Sequence, residues 1–341
     1  MPQAIESTAL YDKTLGCLLG GLIGDAMGTP TEGKDYRFIQ ETFGWVDDFS
    51  CDGTDDTVMK NLLCEALTRT GGYATLDDWG AVWLDHWGEI FGSKMAKFFM
   101  SVLHTAHKMK RYASPRMAAL GNMPSSSSAM CISPVGIVNA GNPRQAALQA
   151  YNLASLIHVQ DVGFCQDGAA SMAAALAAAF VPGATVESVL SAATAYILPL
   201  SGAEMLGRID AALSLAREAR DYVAFREEVY DRADRFFCAI TCDSRETVPL
   251  TLALFLLAEG DVTKAVTYGA NLGRDADTIA SMCGAIAGAF QGVAGVQPAW
   301  IARVNEVSSL NQEDLARRLC EVALAKAKCE RQALDVLTAL L

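Results

Sequence analysis

The sequence lacks the features of proteins that bind nucleic acids or anionic membranes. Its 341 residues include 27 lysines and arginines against 39 aspartates and glutamates, which gives a net charge of −12 at pH 7. Binding a phosphate backbone or an acidic lipid surface needs clustered basic side chains. We therefore expect neither nucleic acid nor a membrane among the partners.

Long hydrophobic runs and targeting segments are also missing. The most apolar stretch, residues 168–181, is shorter than the roughly 20 apolar residues that cross a bilayer, so it predicts a buried helix. The N-terminal segment has no basic region followed by an apolar one, as a signal peptide would have. Without an export signal, the ten cysteines are expected to be reduced thiols in the cytoplasm.

Patterns typical of zinc sites do not occur. There is no CxxC pair, no HExxH motif and no other set of cysteines and histidines with ligand spacing. His104 and His107 lie three residues apart in HTAH, but no third ligand accompanies them. A metal site in this chain would need oxygen ligands.

Strand-like alternation is scarce, whereas alanine- and leucine-rich segments with helical periodicity are frequent. No linker rich in proline, glycine or serine divides the chain, so we predict a single all-α domain over residues 1–341. Helices are predicted near residues 11–28, 56–70, 76–91, 94–110, 143–158, 165–180, 185–197, 202–219, 222–239, 247–258, 261–271, 277–293 and 311–325.

Two of these segments carry a small residue at every fourth position. Glycine costs about 1 kcal/mol in a helix interior relative to alanine, and a spacing of four places the small residues on one helix face. Such a face lets another backbone approach closely, so we predict two central helices packed tightly against neighbours, with each other as candidate partners. The positions are Gly16, Gly20, Gly24 and Gly28 in the first segment and Ala280, Gly284, Gly288 and Gly292 in the second.

Two clusters of aspartate and threonine each open a predicted helix. They are Thr54-Asp55-Asp56-Thr57 and Asp275-Ala276-Asp277-Thr278. One interpretation is helix capping, since Asp and Thr are favoured at N-caps and first-turn carboxylates interact well with the helix dipole. A cap needs only one side-chain oxygen, however. If the clusters met in space, the repulsion would be relieved by a divalent cation, and these oxygens suit Mg²⁺, Mn²⁺ or Ca²⁺.

At these residues the sequence resembles the ADP-ribosylglycohydrolase family, which includes the dinitrogenase reductase-activating glycohydrolases. The segments GCLLGGLIGDAMGTPTEG, GTDDTVM and NLGRDADTIASMCGAIAGAFQG are similar to family motifs and follow the family's order. The resemblance covers roughly residues 12–293. It implies an orthogonal all-α bundle with a central dinuclear metal cleft.

The resemblance also implies roles for individual residues. Two Mg²⁺ or Mn²⁺ ions would be bound by Thr54, Asp55, Asp56, Asp275, Asp277 and Thr278. The catalytic carboxylates would be Glu32, Asp55, Asp56 and Asp277, with Glu32 over the site entrance. Substrate would be bound by Ser126, Ser127, Ser128 and His158, although a buried core position is the alternative for His158. Asp25 matches a further family position, either fixing the backbone or contacting substrate.

The segment SSSSAMC at residues 125–131, called the serine loop below, departs from the family pattern. Ser126 and Ser127 stand where the family has Asn-Gly, and Cys131 stands where it has arginine. The resemblance implies a hydrolase that releases ADP-ribose from a modified protein side chain or a small acceptor. The loop without its basic residue leaves open the hydrolysis of a smaller N-ribosyl compound such as a nucleoside. A non-catalytic, crystallin-like relative is the alternative from another class.

Overall fold

The chain folds into helices throughout the part that the structure describes. The computed structural model describes residues 4–341, and its regular elements there are 20 α-helices and four short 3₁₀ turns. The prediction of an all-α fold is confirmed. The helices are α1 (Ala9–Gly28), α2 (Tyr36–Thr42), α3 (Asp55–Arg69), α4 (Leu76–Asp85), α5 (Trp87–Ile90), α6 (Met100–Lys110), α7 (Pro115–Ala118), α8 (Ser127–Met130), α9 (Ser133–Val138), α10 (Pro143–Ala154), α11 (Phe164–Ala179), α12 (Val186–Ala195), α13 (Ala203–Glu218), α14 (Tyr222–Asp231), α15 (Ala233–Phe236), α16 (Ser244–Leu257), α17 (Val262–Ala270), α18 (Ala276–Gln291), α19 (Pro298–Val307) and α20 (Gln312–Thr338).

The predicted helices are all present, but three of them are divided. The helix expected near 76–91 breaks at His86, and the one near 222–239 breaks at Arg232. The helix expected near 94–110 begins only at Met100, after a 3₁₀ turn over Met95–Lys97. The C-terminal helix is longer than predicted and ends at Thr338. The periodicity of a sequence does not reveal where packing against other parts of the fold interrupts a helix.

Five helices were not predicted: α2, α7, α8, α9 and α19. They are short, between four and ten residues each. A helix of one or two turns presents too few positions for a recognisable 3.6-residue period. Three of them, α7, α9 and α19, have proline at their first or second position, where its missing N–H costs no hydrogen bond.

Helices α1 and α18 form an antiparallel pair at the centre of the molecule. Every residue from Thr14 to Gly28 of α1 and from Ala276 to Ala289 of α18 is buried. A Cβ added at Gly20 would overlap the carbonyl oxygen of Gly284, and one at Gly24 would overlap that of Ala280. The two small-residue faces therefore pack against each other, backbone on backbone.

The register of this pair places the C-terminal end of α1 beside the N-terminal end of α18. Gly28, at the C-terminal end of α1, lies against the backbone of Asp277 in the first turn of α18. The large hydrophobic core surrounds the pair and draws side chains from helices along the whole chain, from α1 to α20. No helix within residues 4–341 is both long and apolar enough to cross a membrane. The boundary of the domain at residues 1–341 stays a prediction.

We expect Gly20→Ala to destabilise the protein by roughly 1–3 kcal/mol, because the added methyl group forces apart two backbones that have no side chain to move. The free energy of unfolding in urea measures this effect. Gly207→Ala in α13 is the matched control, since no atom lies within 4 Å of its added Cβ. There alanine should stabilise the helix by up to about 1 kcal/mol. Equal shifts in the two variants would contradict the close packing.

Candidate active site

Asp25 of α1 holds the beginning of α3 in place. Its buried carboxylate accepts hydrogen bonds from the backbone N–H groups of Thr54 at 2.8 Å and Thr57 at 3.0 Å. It also accepts from both threonine hydroxyls, at 2.8 and 2.5 Å. Gly53, at φ +84°, passes so close that a Cβ would collide with the carboxylate. Of the two roles considered for Asp25, the structure shows the one that fixes the backbone.

The beginning of α18 is fixed by an unusual backbone turn. Gly273 and Arg274 have φ values of +84° and +61°, and the left-handed region is uncommon for arginine. The N–H of Arg274 donates to the carbonyl of Lys34 at 2.9 Å, and its carbonyl accepts from Gly33 at 2.6 Å. This pairing joins the segment after Glu32 to the residue before Asp275.

The side chain of Arg274 secures that turn from the other side. Its guanidinium donates two hydrogen bonds, at 2.7 and 2.8 Å, to the fully buried carboxylate of Glu246 in α16. It also lies 4.3 Å from the ring centroid of Phe237. A bidentate ion pair of this kind orders both partners, so it stabilises a backbone conformation that is unfavourable by itself.

The two acidic clusters meet in space. The hydroxyl of Thr54 donates to Asp277 at 3.4 Å, and that of Thr278 donates to Asp56 at 3.2 Å. Glu32, Asp275 and Asp277 each bring a carboxylate oxygen within 4.8 Å of the others. The six residues predicted as metal ligands thus come from two helix N-termini at one place, and Glu32 joins them from the segment after α1.

The carboxylates at this place oppose one another's ionisation. Burial raises the pKa of Asp55, Asp56 and Asp277 well above the ordinary range, and the neighbouring carboxylates raise each further. Burial also raises the pKa of Asp275 to about 7. If these carboxylates are ionised at neutral pH, a nearby cation is needed to offset their mutual repulsion.

Two buried oxygens point to that cation. Oδ1 of Asp56 and Oδ1 of Asp277 have no hydrogen-bond partner among the described residues. A buried polar atom without a partner costs free energy, and in native proteins an absent water or ion is one of the explanations for it. The surrounding donors are carboxylate and hydroxyl oxygens, which suit a hard divalent cation. The residues present therefore fit the divalent metal site that the sequence predicted.

The serine loop contacts the acidic clusters through one side chain. Ser126 donates from its hydroxyl to Asp275 at 3.1 Å, and its backbone N–H donates to the carbonyl of Cys242 at 2.5 Å. Ser127 and Ser128 are buried and bond within the loop and to its supporting residues. Cys131 is fully buried and donates its thiol proton to the carbonyl of Ser127, so no cation lies at that position.

His158 holds the serine loop through hydrogen bonds to two of its hydroxyl groups. It is fully buried, and its two ring nitrogens bond to the hydroxyls of Ser125 at 3.0 Å and Ser128 at 2.9 Å. Burial lowers its pKa to about 3, so the ring is neutral. This is the core position that was the alternative for His158. Direct substrate contact by His158, Ser127 or Ser128 stays a prediction.

Sequence reasoning missed four residues that shape the site: Ser125, Lys97, Glu246 and Arg274. Ser125 bonds to both Ser101 and His158, and its only signal was membership of the serine run. Lys97 forms a 2.8 Å ion pair with Glu32. The partners Glu246 and Arg274 are 28 residues apart, and nothing in the local pattern indicates that pair.

Comparison with known proteins gives one family for nearly the whole chain. The family model described as ADP-ribosylglycohydrolase matches residues 6–329. A solved structure titled "ADP-ribosylglycohydrolase-related protein complex" superposes with a TM-score of 0.66 at 21% identity, covering 92% of this chain and 99% of that one. At that identity the likeness shows a shared fold.

Individual relatives are similar over most of their length. The uncharacterised protein YegU of Escherichia coli (strain K12) is 29% identical, over 94% of this chain and 99% of the relative. The ADP-ribosylarginine hydrolase Tri1 of Pseudomonas putida (strain GB-1) is 26% identical, over 89% and 77%. The ADP-ribosylhydrolase ARH3 of Mus musculus is 24% identical, over 84% and 85%.

Removing the side chain that secures the α18 turn should be costly. We expect Arg274→Ala to lower the free energy of unfolding by about 3 kcal/mol or more, because Glu246 is left buried and unpaired. Arg69→Ala is the control: that arginine pairs with Glu65 and Asp85 on the exposed surface, where a pair contributes about 0–1 kcal/mol. Urea unfolding of both variants measures the difference. Similar losses would show that the Arg274 pair is no more important than a surface pair.

Stability of the metal-free protein should fall as pH rises. The site aspartates have a raised pKa in the folded state, so between the ordinary value of 3.8 and about 7, the pKa of Asp275, the folded chain holds protons that the unfolded chain has lost. Mg²⁺ or Mn²⁺ should raise the melting temperature more at pH 8 than at pH 5, where protons compete. Thermal melts with EDTA or metal measure this.

The variant Asp275→Asn/Asp277→Asn isolates the contribution of the site. It should lose most of the metal-induced shift and flatten the pH dependence of the metal-free protein. A metal-induced shift that is the same in the wild type and the variant would exclude these carboxylates as ligands.

Proposed function

The chain belongs to the ADP-ribosylglycohydrolase family, and on that premise we propose that it is a divalent-metal-dependent hydrolase of ribosyl N- or O-glycosidic bonds. Its most favoured reaction is release of ADP-ribose from a modified protein side chain or small acceptor. The observation that carries the proposal is the convergence of two acidic clusters with two buried, unpartnered carboxylate oxygens. Negative charge beside the sugar stabilises the positive charge that develops when a ribosyl bond is cleaved, and the same carboxylates can bind a metal pair.

The metal would be held by residues from both helix starts. Two Mg²⁺ or Mn²⁺ ions at Thr54, Asp55, Asp56, Asp275, Asp277 and Thr278 fit the oxygen-only donor set. When bound, such ions would orient the ribose hydroxyls and lower the pKa of a nearby water. Asp56 and Asp277 supply the unpartnered oxygens, and Asp25 keeps the α3 backbone in the position this requires.

The carboxylates of this chain serve the reaction in two ways. Cleavage of the anomeric bond develops oxocarbenium character on the sugar, which adjacent carboxylates stabilise electrostatically. One carboxylate acts as general base on the attacking water. Glu32 is suited to that role, because its side chain is partly exposed, at 36%, while the aspartates are buried.

The substrate is proposed from the relatives and from the loop. The names of the similar proteins ARH3 and Tri1 describe hydrolases of ADP-ribosyl groups, which favours an ADP-ribosylated protein or small ribosyl compound as substrate. The second candidate is a smaller N-ribosyl compound, favoured by the uncharged run from Ser125 to Cys131 at the serine loop. A cytoplasmic location is proposed in keeping with the ten free cysteines.

The test is a hydrolysis assay on protein stripped with a chelator and resupplied with Mg²⁺ or Mn²⁺. Substrates are ADP-ribosylated arginine, ADP-ribosylated serine and a nucleoside panel, with release of ADP-ribose or free base as the readout. We expect metal-dependent release of ADP-ribose. Asp277→Asn should lower the rate at least 100-fold, because it removes one ligand charge and one buried acceptor.

Asp335→Asn, on the exposed end of α20, is the matched control and should act like the wild type. Release of free base without ADP-ribose would favour the second candidate. A protein that binds no divalent metal would contradict both candidates and favour the non-catalytic class.

A further inference from the structure

Two lysines reach the acidic clusters from the segment between α5 and α6. Lys94 lies 2.9 Å from a carboxylate oxygen of Asp52 and donates to the carbonyl of Gly53 at 2.9 Å. Lys97, three residues later, lies 2.8 Å from Oε2 of Glu32. Both ammonium groups thus lie at the rim of the candidate active site, on the same short turn.

The two lysines differ in how firmly they are held. Lys94 is 26% exposed and bonds to the backbone directly before Thr54, so it is part of the scaffold of the α3 turn. Lys97 is 39% exposed, and Glu32 is the partner the structure gives it. Partial burial acts to lower the pKa of Lys97, but its hydrogen bond to Glu32 and the charges of Asp277 and Asp55 raise it overall. Its ammonium contacts Glu32, whose carboxylate lies within 4.8 Å of oxygens of Asp275 and Asp277.

Glu32 would have two competing cationic neighbours if a metal ion bound beside Asp275 and Asp277. Its carboxylate pairs with Lys97 and also lies within 4.8 Å of carboxylate oxygens of Asp275 and Asp277. A divalent ion held there would attract Glu32 strongly, which weakens the hold of Glu32 on Lys97. A partly exposed ammonium would then be available at the rim for another anion.

We propose that Lys97 binds a phosphate group of the substrate beside Glu32, and so selects phosphorylated ribosyl compounds over unphosphorylated nucleosides. This inference rests on the proposed function and narrows its substrate class. The loop from Ser125 to Cys131 carries no charged side chain, and the chain as a whole has a net charge of −12. The proposed metal ions would be occupied by the ribose and the carboxylates, so Lys97 is the partly exposed cation left beside Glu32 for a phosphate, and a lysine ammonium binds phosphate oxygens as a point charge.

The experiment measures binding rather than turnover. Isothermal titration of Mg²⁺-loaded protein with ADP-ribose and with adenosine compares two ligands that share the nucleoside; ADP-ribose adds the two phosphates and a terminal ribose, and only the phosphates would interact with Lys97. We expect Lys97→Gln to weaken ADP-ribose binding about tenfold, the effect of losing one hydrogen bond to a charged group at a partly exposed site. Adenosine binding should stay unchanged, and Lys97→Arg should restore most of the ADP-ribose affinity.

Lys110→Gln, which removes the same charge at the end of α6, is the matched control and should bind both ligands like the wild type. The Mg²⁺-induced rise in melting temperature should be at least as large in Lys97→Gln as in the wild type, because the variant removes a cation that competes for Glu32. This measurement separates phosphate binding from damage to the metal ligands. Equal losses for both ligands, no loss for either, or a reduced Mg²⁺ effect would overturn the inference while leaving the proposed hydrolase intact. A wild-type protein that binds neither ligand would overturn both.

Discussion

The backbone contact between α1 and α18 is the constraint on which the rest of the structure depends. Because the small residues of both helices repeat every four positions, the pair fits closely only in registers that differ by a whole turn. A slip of one turn moves a helix by about 5.4 Å, more than the distance over which Thr54 and Asp277 hydrogen bond. The observed register sets Gly28 against Asp277, and with it the separation between the two acidic clusters.

The carboxylates that the proposed reaction needs also lower the stability of the fold. Several buried carboxylates within hydrogen-bond reach destabilise a fold, and their raised pKa values express that cost. The surrounding structure offsets this cost with supporting hydrogen bonds and ion pairs that hold the site in place. Asp25 satisfies the N-terminal amides of α3, the pair of Glu246 and Arg274 holds the turn before α18, and His158 holds the serine loop.

The parts of the site that could be predicted from the sequence are those written as local patterns. The acidic clusters stand at helix starts, and the spacing of glycines marks a helix face, so both were recognisable without coordinates. The supports were not, because Arg274 finds its partner through the fold and adopts a positive φ that its residue type does not indicate. The sequence left the role of His158 undecided for a similar reason, because the local sequence around a histidine does not tell whether its ring is buried in the core or contacts substrate. The short helices such as α2 and α8 depend on packing rather than on their own periodicity.

The distance along the chain between the two acidic clusters has a consequence for synthesis on the ribosome. Thr54 and Asp277 are 223 residues apart, and translation adds about 5–20 residues per second. The second cluster is therefore synthesised roughly 10 to 45 seconds after the first. Until then the helix that packs on the glycine face of α1 in the folded protein has not been made. The central contact of the fold therefore forms late, after most of the chain has been synthesised.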